Sequence, residues 1–348
     1  MAHAGPRDQT ERPTLAVVAR LAGVSTATAS KVFNNRPDVA PGTRQRVNAA
    51  LEDLGYQPTT AQRVVPHDPV IAIVFDNLVN LYWTQVLRGV LTAAREMRVD
   101  VVVEVLTESS GAVRPLSTPW LRSIAEKGWK GVLAVTTEVT PKQSRAVREA
   151  GLHLVAIDPP NALDDSLVSV GSTNFIGGTQ ATNHLLGLGH RRIAVAGGPI
   201  RSSVARERVH GYRSALEAAD VVYADALVRR GEFNYPAGVE MSLSLLTQSD
   251  PPTAIVAGCD STALGVLEGA RQLGVRVPQE LSVVGYDDSP AAVSSAPPLT
   301  TVRQPMAGLG RVALRSLLQQ VIGEEPASHH IQLATTLIVR ESTCAPSC

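Results

Sequence analysis

Two textures divide the chain. Residues 14 to 55 carry helical periodicity only, whereas from Val70 onward short β-branched runs alternate with longer stretches of helical period. The second texture predicts a parallel sheet with crossover helices. Strands are expected at VIAIVF (70–75), VDVVVEV (99–105), GVLAVTT (131–137), LVAID (154–158), RIAVAGG (192–198), TAIVAGCD (253–260) and LSVVGYDD (281–288). Helices are expected between them, at 82–97, 119–128, 141–151, 174–189, 203–219, 236–248 and 260–274. A total of about ten strands exceeds a comfortable single open sheet, so the pattern predicts two doubly wound lobes with a cleft between them. Ligands of such sheets bind beyond the carboxyl ends of the strands, which singles out Asp76, Thr137, Asp158, Asp260 and Asp287 by position alone.

The N-terminal texture reads as three short helices with turn signals at Gly23 and between Asn34 and Gly42. Thr14 suits the cap of a first helix, Gly23 the tight turn and Ser25 the cap of a second, a helix-turn-helix spacing. On the second helix Thr26, Ala27, Ser30 and Lys31 form a slim polar face, while Val24, Thr28, Val32 and Phe33 point to a core. Thr and Ala side chains touch thymine methyl groups and Lys reaches guanine acceptors or phosphate, so this face fits a major groove. The same pattern also fits a three-helix bundle used for packing or dimerisation. A linker follows, QPTTAQRVVPHDP (57–69), bracketed by Pro58, Pro66 and Pro69.

Length and composition agree with several domains: 348 residues at about 100 to 200 per domain, 44% apolar and 18% charged. Net charge is zero, from 32 basic and 32 acidic residues. Taken alone, that balance argues against a nucleic-acid binder. Cutting the chain after residue 63 changes the picture, because the first part holds eight Arg/Lys against five Asp/Glu, a net of +3, and the rest is −3. Three cysteines, Cys259, Cys344 and Cys348, form no disulfide framework, and a reducing, cytoplasmic setting fits them. No signal-peptide core or membrane-length apolar run is visible.

The order ARLAGVSTATASKVFN, VAPGTRQRV and ALEDLGYQP resembles the DNA-binding head of the lac/gal repressor family across residues 14 to 58 without a gap. The resemblance continues to about residue 342 through LRGV (87–90), LLGLGHRRIAVAGG (185–198), RVHGYRSALE (208–217), TAIVAGCDSTALGVLEGARQLGVRVPQELSVVGYDD (253–288) and PPLTTVRQP (297–305). It implies a helix-turn-helix head joined to a two-lobed α/β effector domain of the periplasmic-binding-protein type I fold, with parallel sheets. The implied order is a disordered tail (1–13), the head (14–58), a hinge (59–69), the effector and dimerisation domain (70–342) and a tail (343–348). Lobe 1 would hold about 70–168 and 300–328, and lobe 2 about 169–299 and 329–342.

By the resemblance, Ser25, Thr26, Ala27, Thr28, Ser30 and Lys31 lie on the recognition helix, with Thr26 and Ala27 reading bases. Asn34, Thr43, Arg44 and Tyr56 match backbone-contact or head-packing positions, and Arg63 and Val65 fall in the hinge, where the family's apolar wedge kinks DNA from the minor groove. Val65 stands where the family usually has Leu, Val17 where it has Asp and Ala40 where it has a capping Ser. Effector positions fall on Asp76, Asn80, Tyr82, Trp83, Thr137 and Asp158 in lobe 1, and on Arg208, Phe233, Cys259 and Asp287 in lobe 2. Cys259 replaces an Asn common in sugar-responsive relatives.

Physical chemistry gives that set a sense of its own. Carboxylates and Asn bond vicinal hydroxyls in pairs, Arg208 forks across two oxygens and aromatic rings cover the apolar face of a sugar. Plainer roles exist too: Asp287 and Asp288 as turn caps, Trp83 as core, Arg208 paired with Glu207 or Glu217. The expected function is a repressor that binds a palindromic operator as a homodimer, its affinity controlled by a carbohydrate-like effector. The alternatives are a cytoplasmic sugar sensor with weak or lost DNA binding, and a regulator whose ligand acts as corepressor. No catalytic motif is present, His329 and His330 are adjacent rather than at ligand spacing, and neither metal nor cofactor is expected.

Overall fold

The computed structural model describes residues 14–33, 39–54, 69–76, 81–108 and 113–346. The chain divides into two units, Met1–Val65 and Pro66–Cys348.

The first unit contains α1 (Leu15–Leu21), α2 (Thr26–Phe33) and α3 (Pro41–Asp53). Thr14 Oγ1 accepts from the Val17 amide at 3.3 Å and opens α1. Gly23 takes a left-handed φ of 65°, and the first two helices bend through 99° there, within the range of a helix-turn-helix. Ser25 Oγ accepts from the Thr28 amide at 3.1 Å and caps α2. The core joins Val18, Ala19, Ala22, Ala29, Val32, Val47 and Ala50. Ala29 takes the inward seat expected of Thr28, which is half-exposed and shares a 2.9 Å hydroxyl contact with Ser25. A methyl side chain lets three short helices approach closely where a Thr hydroxyl would be buried without a partner.

The second unit begins with β1 (Val70–Phe75), α4 (Leu81–Met97), β2 (Asp100–Val105), α5 (Thr118–Glu126), β3 (Gly131–Val135), α6 (Pro141–Glu149), β4 (His153–Ile157) and β5 (Val168–Ser172). It continues with α7 (Asn174–Gly187), β6 (Ile193–Gly197), α8 (Ser203–Ala218), β7 (Val228–Arg230), α9 (Tyr235–Leu246), β8 (Ala254–Ala257), α10 (Asp260–Gln272), β9 (Ser282–Asp287), α11 (Pro290–Ser294) and β10 (Thr300–Arg303). The chain then returns through α12 (Met306–Val321) and β11 (His330–Leu333), and closes with β12 (Thr336–Ile338). Among the described residues these strands form two six-stranded sheets, ordered β11-β5-β4-β3-β1-β2 in lobe 1 and β12-β10-β9-β8-β6-β7 in lobe 2. Neighbouring strands run parallel except β10 and β12. The central strands β1, β3, β4, β6, β8 and β9 are buried on both faces, which is why they read as continuous apolar runs in the sequence.

Helix pairs on these sheets approach to backbone contact through glycine. A Cβ at Gly89 of α4 would collide with the Ala307 carbonyl of α12, and one at Gly178 of α7 with the Arg208 carbonyl of α8. The second contact lets α8 pack directly against α7 at the residue that carries the guanidinium.

The strands move the lobe boundaries from the expected 168, 299 and 328. β5 stays in lobe 1, β10 belongs to lobe 2, β11 returns to lobe 1 and β12 to lobe 2. The crossovers therefore lie at Thr173, at Gln304 and near Thr335, because the chain changes lobe at strand ends. The short sequences VSVGS, TTVR and HIQL lack the apolar run that marks the other strands. Residues 343–346 are not a free tail: the Cys344 amide donates to Ser282 Oγ at 3.0 Å, and His190 Nε2 lies 2.9 Å from the Cys344 carbonyl. Among the described residues no single helix is long and apolar enough to cross a membrane.

Candidate functional site

On the head, Ser25, Thr26, Ala27 and Lys31 are exposed, and Thr28 and Ser30 are half-exposed on the same helix. Thr43 and Arg44 are half-exposed in the first turn of α3. The polar face of α2 follows from burial of Ala29 and Val32, which turns residues 26, 27 and 31 outward. Asn34, Tyr56, Arg63 and Val65 lie outside the described residues, as does Asn80 of the effector set.

In the second unit, strand ends of both lobes deliver polar groups to the cleft. On lobe 1, Tyr82 and Trp83 sit in the first turn of α4 and are almost wholly buried. Tyr82 Oη donates to Asp158 Oδ2 at 2.5 Å, and Trp83 Nε1 donates to Thr136 Oγ1 at 2.9 Å. Thr136 Oγ1 in turn donates to Asp76 Oδ1 at 2.6 Å. Trp83 thus belongs to the lobe 1 core, and its indole N–H reaches the Thr136 hydroxyl at the end of β3. Thr137, the predicted residue, is buried with its hydroxyl on the Val135 carbonyl at 3.0 Å, while its neighbour Thr136 makes the contacts to Asp76 and Trp83. Thr136 turns the chain with a φ of 49°, and Asp158 does the same after β4 at 46°. A Cβ at Gly171 would lie 2.8 Å from Asp158 Oδ1, so the strand beside that carboxyl needs glycine.

On lobe 2, Arg208 of α8 is only 9% exposed. Its Nε donates to Asn174 Oδ1 at 3.0 Å and its Nη1 to the Gly258 carbonyl at 2.5 Å. The guanidinium carbon lies 3.7 Å from the centre of the Tyr286 ring and 5.5 Å from that of Phe233, so cation–π contacts add to the clamp. Neither Glu207 nor Glu217 pairs with Arg208. Phe233 packs over Gly198 and Gly258, where any Cβ would collide with its ring. Asp287 accepts from Gln304 Nε2 at 2.5 Å, and Ser172 Oγ donates to Gln304 Oε1 at 2.6 Å. Asn174 Nδ2 donates to the Ser172 carbonyl at 3.1 Å. A continuous chain of bonds therefore runs Asp287–Gln304–Ser172–Asn174–Arg208 through two of the three crossovers.

Cys259 is buried as the cap of α10, its Sγ accepting from the Thr262 amide at 3.4 Å. Burial pushes the thiol up to about 12, so it stays neutral. Asp260, a candidate by position, points into lobe 2 instead and accepts from the Ser289 amide at 2.7 Å and Thr301 Oγ1 at 2.6 Å.

Electrostatics bind the two halves. Burial raises Asp158 above the usual carboxylate range, with Tyr82 and Arg208 opposing the rise. Burial also pushes Asp287 up to about 7, against the pull of Arg208. Glu207, one residue before Arg208, is half-buried and raised by burial and then by Asp158 across the cleft. At the rim the lobes touch directly: Ser203 Oγ donates to the Pro159 carbonyl at 2.6 Å and the Ser203 amide to that of Pro160 at 3.0 Å. The arrangement offers carboxyl acceptors on both walls, one fixed guanidinium between them and aromatic surface, a donor and acceptor set for a hydroxyl-rich ligand. Sequence reasoning missed Thr136, Ser172, Asn174, Glu207, Tyr286 and Gln304. Among the described residues no cluster of three or more His, Cys, Asp or Glu side chains is placed to hold a metal.

Comparison with known proteins adds to this geometry. Residues 14–59 match the profile of bacterial regulatory proteins of the lacI family, and residues 182–343 that of a periplasmic binding protein-like domain. The HTH-type transcriptional regulator CelR of Thermobifida fusca is 36% identical over 96% of this chain and 99% of its own length. A solved CelR–cellobiose complex matches with a TM-score of 0.71 at 33% identity, covering 95% of this chain and all (100%) of its own. The lac repressor dimer bound to operator and the anti-inducer ONPF matches with a TM-score of 0.68 at 26% identity, covering 96% and 100%.

Proposed function

Because the chain belongs to the lacI family of bacterial regulatory proteins, we propose that its cleft takes a carbohydrate and that ligand occupancy sets how tightly its head holds DNA. It is a DNA-binding transcriptional regulator with a helix-turn-helix head and a two-lobed effector domain. As a homodimer in the cytoplasm it reads a palindromic operator, since a two-fold pair of short recognition helices doubles the base contacts that one helix can make. Thr26 and Ala27 meet base edges, and Lys31, Thr43 and Arg44 face phosphate or guanine. The chain has no catalytic task.

The observation that supports the effector reading best is the clamp on Arg208. A guanidinium held by Asn174, the Gly258 carbonyl and the Tyr286 ring has little freedom left to lose on binding a ligand. Asp158 and Asp287 supply acceptors for the hydroxyls of a neutral sugar, while Trp83, Tyr82 and Phe233 supply apolar surface. Cellobiose, seen with the CelR relative, belongs in the test set. A thermal-shift series with pentoses, hexoses and cellobiose checks the reading. A bound sugar at 100 times its Kd stabilises by about 2.7 kcal/mol and raises Tm. Absence of any shift across the series overturns the carbohydrate assignment.

A further inference from the structure

Asp287 and Asp288 have positive φ values of 117° and 55°, and their carboxyl groups are bonded in different directions. Asp287 bonds Gln304 beside the effector cleft. Asp288 accepts from Arg303 Nε at 2.6 Å and from Arg340 Nη2 at 2.5 Å. The Arg303 and Asp288 side of this turn opens on a second cavity of about 390 Å³. Its walls include Gln85 and Arg88 of α4, Val293 of α11, Arg303 at the end of β10 and Met306 of α12. None of Asp76, Asp158, Arg208 or Asp287 lines it; Gln304 alone borders it and bonds Asp287.

We propose that this cavity is a second ligand site, one for a small organic oxyanion, a carboxylate or phosphate ester carried on an apolar body. Its volume lies in the range of small-molecule pockets, about 300 to 1,000 Å³. Asp288 is the only carboxylate among the lining residues, and two guanidinium groups already match it. The exposed Arg88 therefore adds positive charge to the wall that no lining carboxylate offsets. Arg303 uses Nε for Asp288 and keeps its two terminal nitrogens for a second partner. Guanidinium forks match the paired oxygens of carboxylates and phosphates. Gln85 adds an amide donor, and Val293, Pro290, Pro305 and Met306 accommodate an apolar body.

The position gives the ligand a consequence. Arg88 and Met306 belong to lobe 1, and Arg303 and Val293 to lobe 2, so an occupant bridges the lobes and favours the arrangement that brings them together. Linkage then makes the oxyanion and the cleft ligand change each other's affinity by the same factor. The proposal does not depend on the cleft ligand being a sugar.

Isothermal titration of the full-length protein with phenyl phosphate tests it, with inorganic phosphate and phenol as the two halves of the probe. Phenyl phosphate should bind at one site, more tightly than either half. Arg88→Gln, a change at an exposed position, should weaken it by about tenfold or more. Asp158→Asn in the cleft should leave it unchanged. Failure of phenyl phosphate to bind, or equal binding by Arg88→Gln, overturns the proposal. Tighter binding by Asp158→Asn does so as well, because it assigns the anion to Arg208 in the cleft.

Discussion

In lobe 1 the carboxyls Asp158 and Asp76 are bonded by side chains of their own lobe, Tyr82 and Thr136, whereas in lobe 2 the Asp287 carboxyl is bonded by the crossover residue Gln304, and the Arg208 guanidinium by Asn174 beside a crossover as well as by the Gly258 carbonyl of its own lobe. One wall is therefore positioned mainly by its own lobe, with a backbone bond from Ser172 to Asp158 and the charge of Arg208 as its ties to the other side. The other wall is tied to the segments about which the lobes turn. A ligand that pulls on Arg208 and Asp287 pulls on Asn174, Ser172 and Gln304, and so on the relation between the lobes. That asymmetry is a physical route from an occupied cleft to a changed lobe arrangement, and a family regulator needs such a route to alter its grip on DNA.

The largest expected effect comes from the lobe 2 clamp. Arg208→Met should cost about 3 kcal/mol of effector affinity, a hundredfold or more, because it removes charge-assisted bonds and leaves acceptors in the cleft without a donor. Calorimetry with the sugar that shifts Tm measures it, and an affinity within threefold of wild type would break the comparison.

Next comes a pair that separates packing from the site. Gly89→Ala and Gly178→Ala each drive a methyl group into a carbonyl of the facing helix and should destabilise by about 1 to 3 kcal/mol. Only Gly178→Ala should also weaken the effector, since the carbonyl it displaces is that of Arg208. Equal effects on effector binding would remove the link between the α7–α8 contact and the clamp.

Gln304→Leu cuts the bond chain at its centre while keeping the volume. An effector loss of about tenfold, about 1.4 kcal/mol, is expected, together with a weaker operator response per bound ligand. If affinity falls but the response per bound ligand stays whole, the crossover is not the route.

The pH dependence sharpens the same wall. Asp287 is raised by burial to about 7, well above an unfolded carboxyl. The folded protein therefore binds more protons than the unfolded chain between about pH 4 and pH 7, and stability falls as pH rises through that window. Tm of the ligand-free protein should drop between pH 5 and pH 7 more than that of Asp287→Asn. Parallel curves for the two would remove the burial argument.

The smallest effect is the most local. Thr136→Val should weaken the effector a few-fold by releasing Asp76 and Trp83, and Thr137→Val should leave it unchanged. The opposite order would restore Thr137 as the functional neighbour.

Legibility in the sequence followed burial. β1, β3, β4, β8 and β9 lie between layers of helices, so each carries an apolar stretch that can be read directly, and the polar residues Asp76, Asp158 and Asp287 stand at the ends of three of them. β5, β10 and β11 are short and partly polar, and the residues just beyond two of them, Asn174 and Gln304, stayed unread for that reason. α12 also went unpredicted, although its apolar residues Leu309, Ala313, Leu314 and Leu317 recur at helical spacing. Thr136 and Thr137 share a strand end, and only the left-handed turn at Thr136 decides which hydroxyl reaches Asp76. Tyr286 lies inside an apolar strand, where periodicity marks it as core; its second task, stacking on Arg208, depends on a residue distant in sequence.

The most direct measurement is fluorescence anisotropy of full-length protein on its own upstream DNA, with and without the stabilising sugar, for wild type and Arg208→Met. The account predicts operator binding by both proteins, a change of about 5- to 150-fold in wild-type affinity on adding the sugar, and no change in the variant. No operator binding at low salt, or an equal sugar response in both proteins, would contradict it.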